Sequence, residues 1–134
     1  MDTGVTLTIN KGTRVYCHAD APIVVDGSLV ANGTKTDSIV FRGDRLDEGY
    51  RDLPASWPGI YFRGTSKANQ FTHAFIRNAY QGIVAIGPPG TARHKVTMQA
   101  CVIDNAYDAG IIAYNSSIKA WNLSITNCGS NILL

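Results

Sequence analysis

Charge is scarce in this sequence of 134 residues. Only 16% of the residues are charged, the net charge is +2, and the charges are scattered along the chain. So small and dispersed a charge does not indicate binding to nucleic acid or to an anionic membrane surface. Long apolar runs are also absent, and none approaches the roughly 20 residues of a membrane-spanning helix. We therefore predict neither a nucleic-acid partner nor a transmembrane segment.

Metal-ligand spacings are equally sparse. The three cysteines are Cys17, Cys101 and Cys128. Cys17 adjoins His18, but two ligands cannot close a tetrahedral zinc site. We predict no metal site and no cofactor. Cys101 and Cys128 stand in apolar columns of the repeat described next, so we expect both thiols to be buried and Cys17 to react fastest.

The sequence does contain one phrase in three copies. "AFIRNAYQGI" at 74–83 returns as "CVIDNAYDAGI" at 101–111 and, with more changes, as "NLSITNCGSNI" at 122–132. A period of 20 to 50 residues indicates a repeat architecture. Aligning the copies gives two columns: Asn78, Asn105 and Asn127; and Ile76, Ile103 and Ile125.

The apolar pattern within each copy predicts the architecture. Apolar residues alternate with mixed ones, shift phase at a bend and alternate again, and a further apolar pair follows the asparagine. This predicts three short strands in each turn of about two dozen residues, and no stripe of helical period appears. We predict an all-β, single-stranded right-handed parallel β-helix of about five to six coils, with residues 1–134 forming a single domain.

Two columns of turn residues have predicted roles. The asparagines would stack their side-chain amides inside a corner and bond backbone groups that otherwise lack partners. Ordinary turn asparagines are the alternative. Gly59, Gly82 and Gly110 each precede an isoleucine, where the third copy carries Asn131. Because Gly and Asn take positive φ at little cost, this column predicts a turn through the left-handed region.

The repeat is interrupted most strongly by "GDRLDEGYRDLPASWP" at 43–58. A long insertion on one coil of a solenoid forms a loop on one face, often the binding face. Charged groups and exposed aromatic rings together suit sugar recognition. The alternative is a solvated loop that folds onto the coil, with Trp57 anchoring its exit. The candidate ligand-binding residues are Arg42, Asp44, Asp47, Glu48, Tyr50, Arg51 and Trp57.

A second break lies at 87–95, "GPPGTARHK". Its last residues, Arg93, His94 and Lys95, predict a small basic tip. His94 has no carboxylate or nucleophile near it in the sequence, so we assign no catalytic residue here.

The segment "LTINKGTRVYCHADAPIVVDGSLVANGTKTDSIVFRGD" at 7–44 resembles the entry coils of bacterial surface β-helix proteins. It is similar above all to the β-helix lipoproteins of Bacteroides-like bacteria, within the pectin-lyase-like superfamily. Asn10-Lys11 and Ser38 depart from the Glu-Pro and Pro that are common there. The matching positions are Leu7, Ile9, Gly12, Thr13, Val15, Val25, Gly27, Leu29, Gly33, Thr34, Ile39 and Phe41.

The resemblance implies an exported protein, at the cell surface or outside the cell, with its signal or lipid anchor beyond these residues. Some members of the superfamily are polysaccharide lyases or glycoside hydrolases. This sequence contains no "DD", "RIK" or "GHG", and its repeats supply no pair of facing carboxyls. We expect a non-catalytic module for adhesion or for binding a polysaccharide or other glycan. A carbohydrate-active enzyme and a purely structural stalk are the alternatives.

The last copy ends in an apolar strand without a polar cap. Because the last coil of a solenoid exposes core side chains and strand edges unless something covers it, we expect one of two arrangements. Either the chain continues as a longer β-helix, or a second copy covers this coil as a homo-oligomer. Both place a contact at Trp121, Leu123, Ile132, Leu133 and Leu134.

Overall fold

The computed structural model describes residues 1–90 and 92–134 and contains fifteen β-strands. They form five successive groups of three. The first two groups are β1 (Thr6–Ile9), β2 (Arg14–Cys17) and β3 (Ile23–Val25), then β4 (Ser28–Asn32), β5 (Ile39–Gly43) and β6 (Ile60–Phe62). The next two are β7 (Asn69–Thr72), β8 (Ala74–Arg77) and β9 (Gln81–Ile86), then β10 (Val96–Gln99), β11 (Val102–Asp104) and β12 (Ala109–Tyr114). The last is β13 (Ile118–Trp121), β14 (Ser124–Thr126) and β15 (Ser130–Leu133).

Each strand pairs in parallel with the equivalent strand of the neighbouring group. The first strands of the groups form sheet A, the second strands sheet B and the third strands sheet C, each with five strands. The chain therefore passes from sheet A to B to C and back to A, and each group is one coil. The molecule is a right-handed parallel β-helix of about five coils, which confirms the predicted fold class.

Columns of apolar side chains, in register from coil to coil, fill the interior. Every second residue of a strand points inward, so the inward residues of each strand stack on their register partners in the next coil. Sheet C contributes Ile23, Ile60, Ile83, Ile111 and Ile132. Sheet B contributes Val15, Phe41, Ile76, Ile103 and Ile125. These columns are buried in the three middle coils and more open at the ends, where Ile132 is 51% exposed.

The centre of the core is an aromatic cluster to which all three sheets contribute. Phe71 of sheet A meets Phe41 of sheet B at 5.9 Å between ring centroids and Phe62 of sheet C at 6.0 Å, both edge to face. This geometry suits the aromatic quadrupoles and joins the three sheets at one point.

The corner residues differ from the prediction made for the glycine column. Only Gly59 has a positive φ, 123°, whereas Gly82 and Gly110 do not. The left-handed conformation belongs to the asparagine column instead, with φ of 62° at Asn78 and 60° at Asn105. Gly82 is required for another reason, since a Cβ there would lie 2.5 Å from the carbonyl oxygen of Gly110. The glycines permit close stacking of coils, and the asparagines make the turn.

The cysteines also correct a prediction. Cys17 and Cys101 are buried, whereas Cys128, in the last coil, is only half-buried. Cys17 lies on the inner face of β2, and burial raises the pKa of its thiol, with a smaller contribution from the charge of Asp44. Burial likewise raises the pKa of Cys101. Cys17 is therefore shielded, and Cys128 is the most accessible thiol.

Candidate functional site

The asparagine column lies at the corner between sheets B and C. The side-chain amide of Asn105 donates to the Oδ1 of Asn78 at 3.0 Å. Asn127 occupies the equivalent corner of the last coil, but its Nδ2 donates to Oδ1 of Asp104 at 3.1 Å. The structure therefore brings two of the three asparagines into direct contact.

The 43–58 insertion joins β5 to β6 and folds back over this corner. The Nδ2 of Asn78 donates to the carbonyl oxygen of Arg51 at 2.8 Å, and the Nδ2 of Asn105 donates to that of Asp52 at 2.9 Å. The backbone N–H of Ser56 returns a bond to the carbonyl oxygen of Asn78 at 2.9 Å. The stacked amides thus bind the backbone of the insertion and hold the loop against the coil.

Trp57 anchors the exit of the insertion. Its side chain is 1% exposed, and its indole Nε1 donates to the carbonyl oxygen of Arg77 at 2.8 Å. A buried indole offers no ring face to a ligand. Trp57 is therefore removed from the candidate ligand-binding residues.

Charged groups at the tip of the insertion pair with one another. Arg45 and Asp47 form an ion pair at 2.9 Å, and the guanidinium of Arg45 lies 3.6 Å from the centroid of the Tyr50 ring. The hydrogen bond from Arg45 lowers the pKa of Asp47, and the same bond raises that of Arg45. These three side chains satisfy much of one another's bonding capacity.

The remaining acidic candidates of the insertion are exposed. Asp44 is paired with His18 at 3.0 Å between Oδ2 and Nδ1, and Arg51 lies 3.7 Å from Asp52. Glu48 is exposed and makes no hydrogen bond or ion pair with a described residue. The structure does not gather these carboxylates at one point.

A groove of about 390 Å³ runs over the outer face of sheet B, beside the insertion. Strand register places its lining in two neighbouring columns, since Tyr16 pairs with Arg42 and Val40 pairs with Phe75. No carboxylate is among the lining residues, which are Arg14, Tyr16, Ser38, Val40, Arg42, Phe75 and Arg77. The groove therefore combines three guanidinium groups with two aromatic rings.

The arginines of the groove are incompletely partnered within residues 1–90 and 92–134. Arg77 lies 3.7 Å from Asp104 of the next coil. Arg42 donates one Nη to the carbonyl oxygen of Arg51, but its Nε is buried without an acceptor. Arg14 is exposed and makes no ion pair. Positive charge therefore exceeds negative charge in the groove.

Of these groove residues, the sequence predicted only Arg42. The sequence also contained a signal for Arg77, because "IVFRG" at 39–43 resembles "AFIRN" at 74–78 and this likeness aligns Arg77 with Arg42. Phe75 lies on the outer face because it alternates with the buried Ala74 and Ile76.

A second exposed aromatic feature lies at the corner between sheets B and C. The rings of Tyr80 and Tyr107 stack at 5.8 Å between centroids with 18° between their planes, and both are exposed. They are one coil apart, following Asn78 and Asn105, so the repeat itself generates this pair.

The predicted basic tip at 87–95 is smaller than the sequence indicated. The side chain of Lys95 is fully buried, and its Nζ donates to the carbonyl oxygens of Arg63 at 2.8 Å and Gly64 at 3.3 Å. Desolvation lowers its pKa. Lys95 closes the corner between sheets C and A and does not contribute to a surface tip.

Neither a metal centre nor a membrane helix is seen in the part of the chain that the structure describes. No three His, Cys, Asp or Glu side chains there are grouped so that they could hold a metal ion. No helix there is long and apolar enough to cross a membrane.

The last coil leaves apolar side chains exposed. Trp121 is 39% exposed and Leu133 is 42% exposed. Self-association through this coil stays a prediction.

In comparisons with known proteins, no family model, no curated protein and no solved structure matches this chain.

Proposed function

We propose that this chain is a non-catalytic module, exported or at the cell surface, that binds a polysaccharide or other glycan. The observation that carries the proposal is the groove on sheet B, where guanidinium groups and aromatic rings line one open channel. Arginine side chains donate several hydrogen bonds in a fixed fork, and aromatic faces accept the apolar faces of sugar rings. The resemblance of segment 7–44 to bacterial surface β-helix proteins supports the location.

Asp104 is the carboxylate next to the groove, and its contacts support a binding function rather than a catalytic one. Asp104 lies near Arg77 and also accepts hydrogen bonds from Thr126 at 2.7 Å and Asn127 at 3.1 Å. General acid–base catalysis needs a carboxyl group that is free to exchange a proton with the substrate, usually opposite a second carboxyl. Asp104 is held instead as a structural acceptor.

The proposal is tested by a glycan array with the purified chain and two tyrosine variants. Tyr16→Ala removes a half-exposed ring from the groove, whereas Tyr114→Ala removes an exposed ring from sheet C and serves as the control. We expect the chain to bind a subset of glycans, and we expect Tyr16→Ala, but not Tyr114→Ala, to weaken that binding.

Other outcomes identify the alternatives. If no glycan binds, the proposal is wrong and a structural stalk is favoured. If incubation with a bound polysaccharide releases reducing or unsaturated sugar, the chain is a carbohydrate-active enzyme.

A further inference from the structure

We infer that the groove on sheet B selects glycans that carry anionic groups, carboxylate or sulfate, and that Arg14, Arg42 and Arg77 hold those groups. The inference rests on the proposed function and specifies the class of ligand. Its basis is a local excess of arginine side chains over carboxylates in the groove, which the net charge of +2 does not reveal.

The placement of Arg42 and Arg77 is unfavourable without an anion. Phe41 pairs with Ile76 across neighbouring strands, so the residues that follow them, Arg42 and Arg77, are neighbours on the outer face. Parallel strands lie about 4.8 Å apart, and like charges at neighbouring positions on adjacent strands are destabilising. Arg77 has Asp104 on its other side, paired in register. The residue paired with Arg42 on its other side is the neutral Tyr16.

Arg42 also retains an unused donor. One Nη is bonded to the carbonyl oxygen of Arg51, which holds the guanidinium in place against the insertion. The Nε is buried and has no acceptor among the described residues. Buried donors in folded proteins are nearly always paired, and each unmade bond costs stability. The other Nη of Arg42 makes no hydrogen bond with a described residue, so a ligand oxygen bound beside Arg42 would accept from that Nη.

The arginine side chains of the groove are repeated along the axis of the solenoid. Arg14, Arg42 and Arg77 come from the first, second and third coils, so three cations are presented at successive levels. Tyr16 and Phe75 lie among them on the same face. A chain of sugar rings with an anionic substituent on some of the rings matches this alternation of cationic and apolar surface. A small anion would engage only one level.

The test uses three polymers with one backbone: dextran, carboxymethyl dextran and dextran sulfate. Binding to the 134-residue chain is measured by isothermal titration calorimetry at about 0.15 M ionic strength, where exposed charges are screened beyond roughly 8 Å. We expect binding to one or both anionic dextrans and at least tenfold weaker binding to dextran. The carboxymethyl and sulfate arms show which anionic group is preferred.

Arginine variants locate the site. Arg42→Gln and Arg77→Gln should each weaken binding about tenfold, as expected for the loss of a charge-assisted hydrogen bond. Arg14→Gln should also weaken binding, and it removes no contact that holds the fold. Arg93→Gln changes the net charge equally, but its exposed side chain belongs to the loop between sheets C and A, so it should have no effect. Circular dichroism melts check that each variant is folded.

Four results would overturn the inference. These are equal binding to dextran, an equal loss in Arg93→Gln and Arg77→Gln, or unchanged binding in Arg14→Gln and Arg77→Gln. The fourth uses oligothymidylate as a control polyanion that is not a glycan, and it is binding as tight as that of the anionic dextrans. If neutral glycans on the array bind but the anionic dextrans do not bind, only the inference fails. If no glycan of any kind binds, the proposed function itself fails.

Discussion

The side-chain amide of Asn105 donates to the side-chain oxygen of Asn78 one coil away, across 3.0 Å. The same Asn105 amide also reaches the carbonyl oxygen of Asp52 in the insertion. A repeat residue that closes a corner therefore also positions the longest irregular loop of the molecule. Since that loop in turn holds Arg42, the corner and the groove on sheet B are structurally linked.

Replacing Asn105 should separate its two roles. Asn105→Gly keeps the left-handed φ of 60° accessible but loses the amide bonds, which should cost about 1–3 kcal/mol of unfolding free energy. Asn105→Ala should cost about 1–2 kcal/mol more, because a Cβ strains the left-handed conformation. Urea denaturation measures both. Limited proteolysis should also show faster cleavage within 43–58 in each variant. Equal stability of both variants and the wild type would contradict the role of the corner.

The close stacking of coils at Gly82 predicts that even one methyl group is too large there. Gly82→Ala would place a Cβ 2.5 Å from the carbonyl oxygen of Gly110 and 2.9 Å from Cγ2 of Ile103. Overpacking of this kind should destabilise the fold by about 1–3 kcal/mol. Gly64→Ala is the matched control, because nothing lies within 4 Å of its added Cβ. Thermal unfolding of the two variants gives the comparison, and similar midpoints would show that the coils can separate without cost.

Thiol labelling of the native protein should follow burial. Thiolate is the reactive form, so a raised pKa and a buried position both slow the reaction at neutral pH. We expect Cys128 to react first and Cys17 and Cys101 to react only slowly. Mass spectrometry after brief treatment with a thiol reagent identifies the modified residue, and Cys128→Ser should remove the fast phase. A fast phase assigned to Cys17 would mean that the inner face of β2 is open.

The ion pair between Asp26 and Arg63 should make stability depend on pH in the acid range. Hydrogen bonding from Arg63 lowers the pKa of Asp26 below its value in the unfolded chain. The pair's contribution is therefore present above an ordinary aspartate pKa of about 3.9 and is lost as the pH falls through the lower pKa of the folded state. We expect the stability difference between the wild type and Asp26→Asn to shrink as the pH is lowered from 7 towards 2. In an Arg63→Gln background the same substitution should show little pH dependence, and an undiminished difference at pH 2 would contradict the assignment.

The sequence revealed the β-helix because three copies of one phrase keep the same alternation of apolar and mixed residues. That alternation also predicted that the side chains of Ile76 and Ile103 point inward. It did not reveal which corner residue takes positive φ, since Gly82 and Asn78 can both do so and only the distance between coils distinguishes them. The docking of the insertion was also hidden. Asn105 bonds to Asp52, 53 residues earlier, through a backbone carbonyl that no side-chain pattern marks.

The groove was hidden for a related reason. Arg14 and Arg42 belong to coils that lack the asparagine phrase, and the corners between them and Arg77 differ in length. The likeness of 39–43 to 74–78 aligns Arg42 with Arg77, but no such marker places Arg14, whose register could be obtained only from the strand pairing. The alternation of apolar residues predicts which side chains of one strand point inward, but not which residues of neighbouring strands pair.

The assignment of the ligand to the groove on sheet B is tested most directly by nuclear magnetic resonance of the arginine Nε–H groups. Resonances of Arg14, Arg42, Arg77 and Arg93 are assigned by single substitution and followed during titration with the anionic dextran that binds more tightly. We predict that the Nε–H resonances of Arg14, Arg42 and Arg77 shift as their guanidinium groups bind the ligand, and that the resonance of Arg93 does not. Shifts at Arg93 with an unchanged Arg42 resonance would contradict the assignment.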